Sequence, residues 1–140
     1  MSDTWIILGA TSAIARAFMR DRAETGATLI LCGRDMDDMK ASAADLHARG
    51  AADVHVMALD VRNAKTFTPI LDLAANQHGM LNAAVFTGSM PDQAVIDADP
   101  SLIDGVIMDS FTGPAQFLQR LAPMMEVRGG GAVVGVGSVA

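Results

Sequence analysis

Short apolar runs alternate along this chain with segments of helical spacing, and this alternation constrains the fold most. Met39 and Leu46, for example, share one face of the predicted helix Met36–Ala48. Strands with consecutive apolar residues suit a sheet covered on both faces, and intervening helices make that sheet parallel with right-handed crossovers. We therefore predict an α/β fold with a doubly wound parallel sheet of five strands in the order 3-2-1-4-5. The predicted strands are Thr4–Leu8, Thr28–Cys32, Asp53–Leu59, Asn82–Phe86 and Ala132–Gly137.

The longest predicted helical segment runs from Asp99 to Val127 and contains two prolines. A proline inside a helix removes one backbone hydrogen bond and clashes with the preceding turn. We therefore expect a bend or a break near Pro114 and an end near Pro123. The glycines of Gly129–Gly131 then lead into the last strand.

Charge and hydropathy exclude several classes of function. The formal net charge is -6 at pH 7 and no basic run is present, which argues against binding to nucleic acids or anionic membranes. No apolar run approaches the roughly 20 residues that span a bilayer, and residues 1–7 lack the features of a signal peptide. Cys32, the single cysteine, lies in an apolar run and is predicted to be a buried core thiol. We expect a cytoplasmic protein, and the three widely spaced histidines predict no metal site.

The stretch "WIILGATSAIARAF", residues 5–18, reads as a strand, a glycine turn and a helix. In a doubly wound sheet, ligands bind beyond the carboxyl ends of the strands where the strand order reverses. That point lies between the first and fourth strands, next to Gly9. The free N–H groups and the dipole of the following helix favour a phosphate there. Taken alone, the turn is equally compatible with a purely structural corner.

The spacing of this turn resembles a known family pattern. "ILGATSAIARA" resembles the TGxxxGxG turn of the short-chain dehydrogenase/reductase family, with Ala13 and Ala15 at its second and third glycines. The resemblance implies a Rossmann-type domain over residues 1–140 and an oxidoreductase that uses NAD or NADP. It also implies that the turn holds the cofactor pyrophosphate, through Gly9, Thr11, Ser12, Ala13 and Ile14.

Two further stretches resemble cofactor-binding segments of this family. "LDV", residues 59–61, resembles its aspartate after the third strand, so that Asp60, with Val61 beside it, would hold the adenine amino group. A turn or helix-capping role for Asp60 is the alternative. "VFTGS", residues 85–89, falls where the family has VNNAG, with Phe86 and Thr87 in place of the asparagines. The resemblance implies cofactor contacts from Thr87 and Gly88.

The second strand ends in "LILCGRDMDD", and this segment bears on the choice of cofactor. An acidic residue here would bind the ribose 2′-hydroxyl of NAD, whereas an arginine accommodates the 2′-phosphate of NADP. The guanidinium of Arg34 suits a phosphate, so we expect NADP as the preferred cofactor and NAD as the alternative. Asp35 is a favoured residue type for capping the second helix.

The resemblance also reaches catalytic positions. "SFTGP", residues 110–114, resembles the family's NxxGP, with Ser110 at the asparagine, and "GGGAVVGVGSVA", residues 129–140, places the catalytic serine at Ser138. The family's proton transfer needs a Tyr-x-x-x-Lys pair, but this chain has no tyrosine. Its lysines, Lys40 and Lys65, lie in the first half.

We therefore expect the cofactor-binding front part of a longer reductase, inactive by itself, that acts with a small-molecule carbonyl or alcohol. The alternative is a non-catalytic module that binds and senses NADP(H). The resemblance also implies a homo-oligomer through the long helical segment, with apolar contacts from Phe117, Leu118 and Leu121. Burial of those side chains against the chain's own sheet is equally compatible.

Overall fold

A five-stranded parallel sheet forms the centre of the molecule. The computed structural model describes residues 2–138. The strand order is 3-2-1-4-5, as predicted, and every neighbouring pair is parallel. The strands are β1 (Thr4–Leu8), β2 (Thr28–Gly33), β3 (Asp53–Ala58), β4 (Leu81–Val85) and β5 (Val133–Gly135).

Helices cover both faces of the sheet. The helices are α1 (Ala13–Glu24), α2 (Met36–Ala48), α3 (Phe67–Ala75), α4 (Gln93–Ala98), α5 (Leu102–Ile107) and α6 (Gly113–Val127). α1 and α2 pack on one face, and α3 and α6 pack on the other. A 3₁₀ turn (Ala64–Thr66) precedes α3, and a π-helical turn (Met108–Thr112) lies between α5 and α6.

The sheet separates two apolar cores, as expected for strands with apolar residues on consecutive positions. All five residues of β1 are buried, and Ile6 and Ile7 point into opposite cores. Beneath α3 and α6, the rings of Phe67 and Phe117 meet edge to face, with centroids 5.4 Å apart. The prediction that Cys32 is a buried core thiol is confirmed, and burial raises the pKa of this thiol far above its ordinary range.

The long helical segment differs from its prediction in two ways. Near Pro114, where a bend or a break was expected, the helical backbone changes to the π-helical turn but is not interrupted, and Pro114 itself lies in the first turn of α6. The expected end near Pro123 is wrong, because α6 continues to Val127. Leu121 and Met125, on either side of the exposed Pro123, are buried against the sheet. Tertiary packing of this kind outweighs local helix preference.

The apolar residues of α6 pack inside the chain. Phe117 and Leu121 have no exposed surface, and Leu118 is half-buried against the same core. Of the two alternatives that the sequence leaves open for these residues, the structure therefore shows burial against the chain's own sheet.

Apart from β1, the strands differ from their predicted limits by one or a few residues. Gly33 extends β2 because it pairs in register with Ala58, where β3 ends. β5 is shorter than predicted, since only Val133–Gly135 pairs with β4. The N–H of Ala132, just before it, donates instead to the side-chain oxygen of Asn82 at 2.9 Å.

No helix within residues 2–138 is both long enough and apolar enough to cross a bilayer. Within the same described part of the chain, no three His, Cys, Asp or Glu side chains are grouped so that they could hold a metal ion.

Candidate functional site

A cleft of about 410 Å³ opens at the carboxyl ends of the strands. Its position at the reversal of strand order, between β1 and β4, is where ligands bind in doubly wound sheets. The exits of β1, β2, β3 and β4 all contribute, together with the π-helical turn. The lining residues are Gly9, Thr11, Ser12, Gly33, Arg34, Asp35, Leu59, Asp60, Val61, Phe86, Thr87, Gly88 and Asp109.

The floor of the cleft is bare backbone at Gly9. Its φ is +85°, in the region that favours glycine, and the N–H groups of Gly9 and Ala10 both donate to the carbonyl of Cys32, at 3.0 and 3.1 Å. A Cβ at Gly9 would lie 3.0 Å from the carbonyl carbon of Phe86 and from the amide nitrogen of Thr87. A side chain here would therefore press on the exit of β4 and displace the cleft wall.

The start of α1 offers unpartnered N–H groups beside the cleft. Ser12 caps the helix, and its Oγ accepts a hydrogen bond from the N–H of Ala15 at 3.0 Å. The N–H groups of Ala13 and Ile14 donate to no acceptor among residues 2–138. Neither residue is part of the cleft lining, and the side chain of Ile14 is exposed. Their N–H groups come directly after Ser12, which does line the cleft, and the positive end of the helix dipole favours an anion at this end of α1.

The exit of β2 brings a guanidinium to the cleft. Arg34 is exposed and takes part in none of the ion pairs of the described residues. The Oδ1 of Asp35 accepts the N–H of Asp38 at 3.0 Å, so the capping role of Asp35 is confirmed. A 2.6 Å ion pair between Arg16 and Asp38 ties α1 to the first turn of α2. The helix that follows Arg34 is thereby held in place.

At the exit of β3, Asp60 has two local roles. Its Oδ1 accepts the N–H of Arg62 at 2.9 Å, and its own N–H donates to the Thr66 hydroxyl at 3.1 Å. The turn role given as an alternative for Asp60 is therefore observed. Asp60 and Val61 also line the cleft, so the turn presents them to a ligand.

At the exit of β4, a polar group and a ring form the cleft wall. The Oγ1 of Thr87 is buried and has no hydrogen-bond partner among the described residues. A buried hydroxyl without a hydrogen-bond partner is a position where a water or a ligand is expected to bind. The ring of Phe86 packs against Phe18 with centroids 5.7 Å apart, and Phe18 packs edge to face on Trp5 at 5.1 Å. Aromatic packing therefore positions this wall.

Asp109, which lines the cleft from the π-helical turn, was not predicted from the sequence. Arg62 holds both of its carboxylate oxygens, with Nε to Oδ1 at 2.6 Å and Nη2 to Oδ2 at 2.8 Å. The hydrogen bonds from Arg62 lower the pKa of the Asp109 carboxyl below its ordinary value. The two residues are 47 positions apart, and no local pattern pairs them. Gly33, Asp35, Leu59 and Phe86 were not proposed as site residues either, although each adjoins a residue that was.

The two predicted catalytic serines lie outside the cleft lining. Ser110 is exposed on the π-helical turn, where its Oγ accepts the N–H of Ser89 at 3.5 Å. Ser138 is exposed beyond β5 and is the last residue described. The final two residues of the motif that carries it, 139 and 140, lie outside the described residues.

Comparison with known sequences points to one family. The model of the short chain dehydrogenase family matches residues 3–140. An uncharacterised oxidoreductase of Mycobacterium tuberculosis is 30% identical over 136 residues, which are 96% of this chain and 54% of that protein. Sulfoacetaldehyde reductase 2 of Chromohalobacter salexigens is 30% identical over 143 residues, covering 100% of this chain and 56% of the relative. The chain thus spans about half the length of the curated relatives it matches.

Solved structures share the fold. L-Sorbose reductase from Gluconobacter frateurii, complexed with NADPH and L-sorbose, superposes with a TM-score of 0.88 at 21% identity, covering 99% of this chain and 53% of that one. A variant of actinorhodin polyketide ketoreductase with NADPH gives a TM-score of 0.85 at 22% identity, with 98% and 53% of the two chains covered.

Proposed function

This chain belongs to the short chain dehydrogenase family, and from that premise we propose that its cleft binds NADP(H) as the cofactor site of a reductase or dehydrogenase. One observation carries the proposal. The cleft has a bare glycine floor and a buried hydroxyl without a partner, and it borders the start of α1, where two N–H groups are unpartnered. These are the features that a dinucleotide's pyrophosphate and ribose require.

Each part of the cleft has an assigned role in the proposal. The backbone from Gly9 to Ile14 receives the pyrophosphate, and Asp60 with Val61 borders the adenine. Thr87 Oγ1 supplies a hydrogen bond to a ribose, with Gly88 beside it. A volume of about 410 Å³ lies within the range of small-molecule clefts.

Arg34 underlies the preference for NADP over NAD. Its guanidinium lies at the exit of β2, is exposed and forms no ion pair with the described residues, so it is available to a 2′-phosphate. Asp35 is occupied as the cap of α2, which leaves it less able to bind a ribose hydroxyl. The two solved relatives described above were crystallised with NADPH, which supports the same choice.

For the whole protein, the proposed reaction is hydride transfer between the nicotinamide and a small carbonyl or alcohol. The cofactor supplies or accepts the hydride with its electron pair, and a separate proton transfer completes the change at oxygen. Ser138 is proposed to contact the reacting oxygen, with Ser110 at the position of the family asparagine. Since the chain has no tyrosine, the 140 residues by themselves are proposed to bind the cofactor without turnover.

The alternative is a non-catalytic module that senses NADP(H). The observation that favours it is the location of both serines outside the cleft lining. Consumption of NADPH by the natural full-length protein, assayed against a panel of aldehydes and ketones, separates the two functions. Steady turnover with any substrate supports the reductase, whereas tight binding without turnover supports the module.

The cofactor assignment is tested by calorimetric titration of NADPH and NADH. We expect Arg34→Ala to weaken NADPH binding about tenfold, the worth of a charge-assisted phosphate contact, and to leave NADH binding nearly unchanged. Arg49→Ala, on the exposed residue that follows α2, is the matched control and should change neither. An unaltered NADPH affinity in Arg34→Ala would contradict the role given to Arg34.

A further inference from the structure

We propose that the Arg62–Asp109 ion pair tunes the cleft for NADP by neutralising a carboxylate that would otherwise repel the 2′-phosphate. This inference rests on the proposed function and adds two residues to the determinants of cofactor preference. It concerns electrostatics in the cleft rather than direct contact with the cofactor.

The geometry of the pair is asymmetric. The side chain of Asp109 is 15% exposed and lines the cleft, whereas that of Arg62 is 53% exposed and does not. Both carboxylate oxygens are held, in the two-pronged arrangement that gives the strongest arginine–carboxylate pairs. A ligand in the cleft therefore meets the carboxylate, while the guanidinium balances its charge from behind.

The position of Arg62 is built into the fold. A Cβ at Gly105 would lie 2.7 Å from Nη2 of Arg62, so this glycine leaves room for the guanidinium. The backbone N–H of Arg62 is fixed by Asp60 at 2.9 Å. The arginine is thus held both at its backbone and at its charged end.

The charges around the cleft explain why this pairing matters. Its lining contains three carboxylates, Asp35, Asp60 and Asp109, and one guanidinium, Arg34. A phosphate-rich ligand is disfavoured by each uncompensated carboxylate. The positive charge of Arg34 also lowers the pKa of Asp109, although less than Arg62 does. Asp109 and Arg34 line the same cleft, so this carboxylate shares the cleft with the group to which we assign the 2′-phosphate.

The two members of the pair should then have opposite effects on cofactor preference. Loss of Arg62 leaves Asp109 as an uncompensated negative charge, which repels NADPH more than NADH because NADPH carries the additional phosphate. Loss of the Asp109 charge frees a guanidinium near the cleft, which attracts NADPH more. A purely structural clamp predicts instead that both losses act in the same direction.

The experiment measures the affinities of NADPH and NADH for the natural full-length protein by calorimetry at low ionic strength. We expect Arg62→Gln to lower the NADPH-over-NADH preference about fivefold and Asp109→Asn to raise it about fivefold, as expected for one charge acting across a partly solvated cleft. Both changes should shrink at high salt because the interaction is screened. Arg49→Gln and Asp45→Asn, which break a 2.9 Å ion pair outside the cleft, should leave the preference unchanged.

The possible negative results distinguish a failure of this inference from a failure of the proposed function. Shifts of the same sign in Arg62→Gln and Asp109→Asn, or no shift in either, overturn the inference and leave the proposed function intact. Failure of the unmodified protein to bind either cofactor overturns the proposed function. Arg62→Lys keeps the charge and should keep the preference, so it tests the idea even if Arg62→Gln does not fold. A fivefold loss in Arg62→Lys would also contradict it.

Discussion

Gly9 combines two constraints, a backbone conformation that disfavours a Cβ and a lack of space for one. Its φ of +85° disfavours any residue with a Cβ, and the exit of β4 leaves no space for that atom. Gly26 has a similar φ of +78°, but a Cβ there would meet nothing within 4 Å. A comparison of alanine substitutions at these two positions therefore separates the effect of backbone strain from that of steric contact.

We expect Gly26→Ala to lower the free energy of unfolding by about 1–2 kcal/mol, the cost of a left-handed alanine. Gly9→Ala should cost about 1–3 kcal/mol more, because its methyl group presses on the backbone of Phe86 and Thr87. Urea unfolding followed by circular dichroism measures both changes. Equal losses of unfolding free energy in the two variants would show that the end of β4 moves to accommodate the methyl group at no cost in stability.

The limits of a helix or strand are predicted well where a local sequence signal sets them, and poorly where tertiary packing sets them. The limits of β1 and α2 match their predictions, and α2 has a strong local signal because Asp35 caps it. The end of α6 could not be predicted from Pro123. Its packing partners come from β4 and α3, far away in sequence, so only the fold reveals that the helix continues.

Replacement of Pro123 and replacement of Pro114 should have opposite effects on stability. Pro123→Ala restores a missing N–H inside an exposed part of the helix and should raise the free energy of unfolding by up to about 3 kcal/mol. Pro114→Ala should lower it, since the ring of Pro114 is buried in the first turn of α6 and its loss removes packing contacts. Chemical denaturation of both variants checks the signs. A loss of stability in Pro123→Ala would mean that the ring makes packing contacts that outweigh the restored hydrogen bond.

The candidate site was predictable where it follows the strands. Arg34, Asp60 and Thr87 come within two residues of the ends of β2, β3 and β4, and carboxyl ends of parallel strands meet at one edge of the sheet. Asp109 comes instead from a helical turn, and its partner Arg62 is 47 residues away. Such a pairing depends on how α5 and α6 dock, for which the sequence offers no local pattern.

For the whole molecule, acidic residues outnumber basic ones, 16 to 10, so the pairing of carboxylates affects stability as pH falls. The hydrogen bonds from Arg62 lower the pKa of Asp109, and those from Arg49 and Arg20 lower that of Asp45. A carboxyl whose pKa is lower in the folded state stabilises that state above its unfolded pKa. The contribution is lost as the pH falls through the folded pKa.

The stability difference between the unmodified protein and Asp109→Asn should therefore be full above about pH 4, the ordinary carboxyl pKa, and should shrink as the pH falls below it. Urea midpoints measured from neutral pH down to pH 2–3 test this. Asp45→Asn serves as the comparison, and its smaller difference should disappear in salt because Asp45 is 42% exposed. A constant difference for Asp109→Asn across this pH range would show that its pKa is not lowered by the pairing.

Trp5 can serve as an intrinsic fluorescence probe of the cleft. Its ring packs on Phe18, which in turn packs on Phe86 in the cleft wall. Trp5 is the sole tryptophan and tyrosine is absent, so ultraviolet emission excited at long wavelength arises from one indole. That indole is 8% exposed and reaches the cleft wall through a single intervening ring. A reduced nicotinamide absorbs where indole emits, so energy transfer from Trp5 would report occupancy of the cleft without any label.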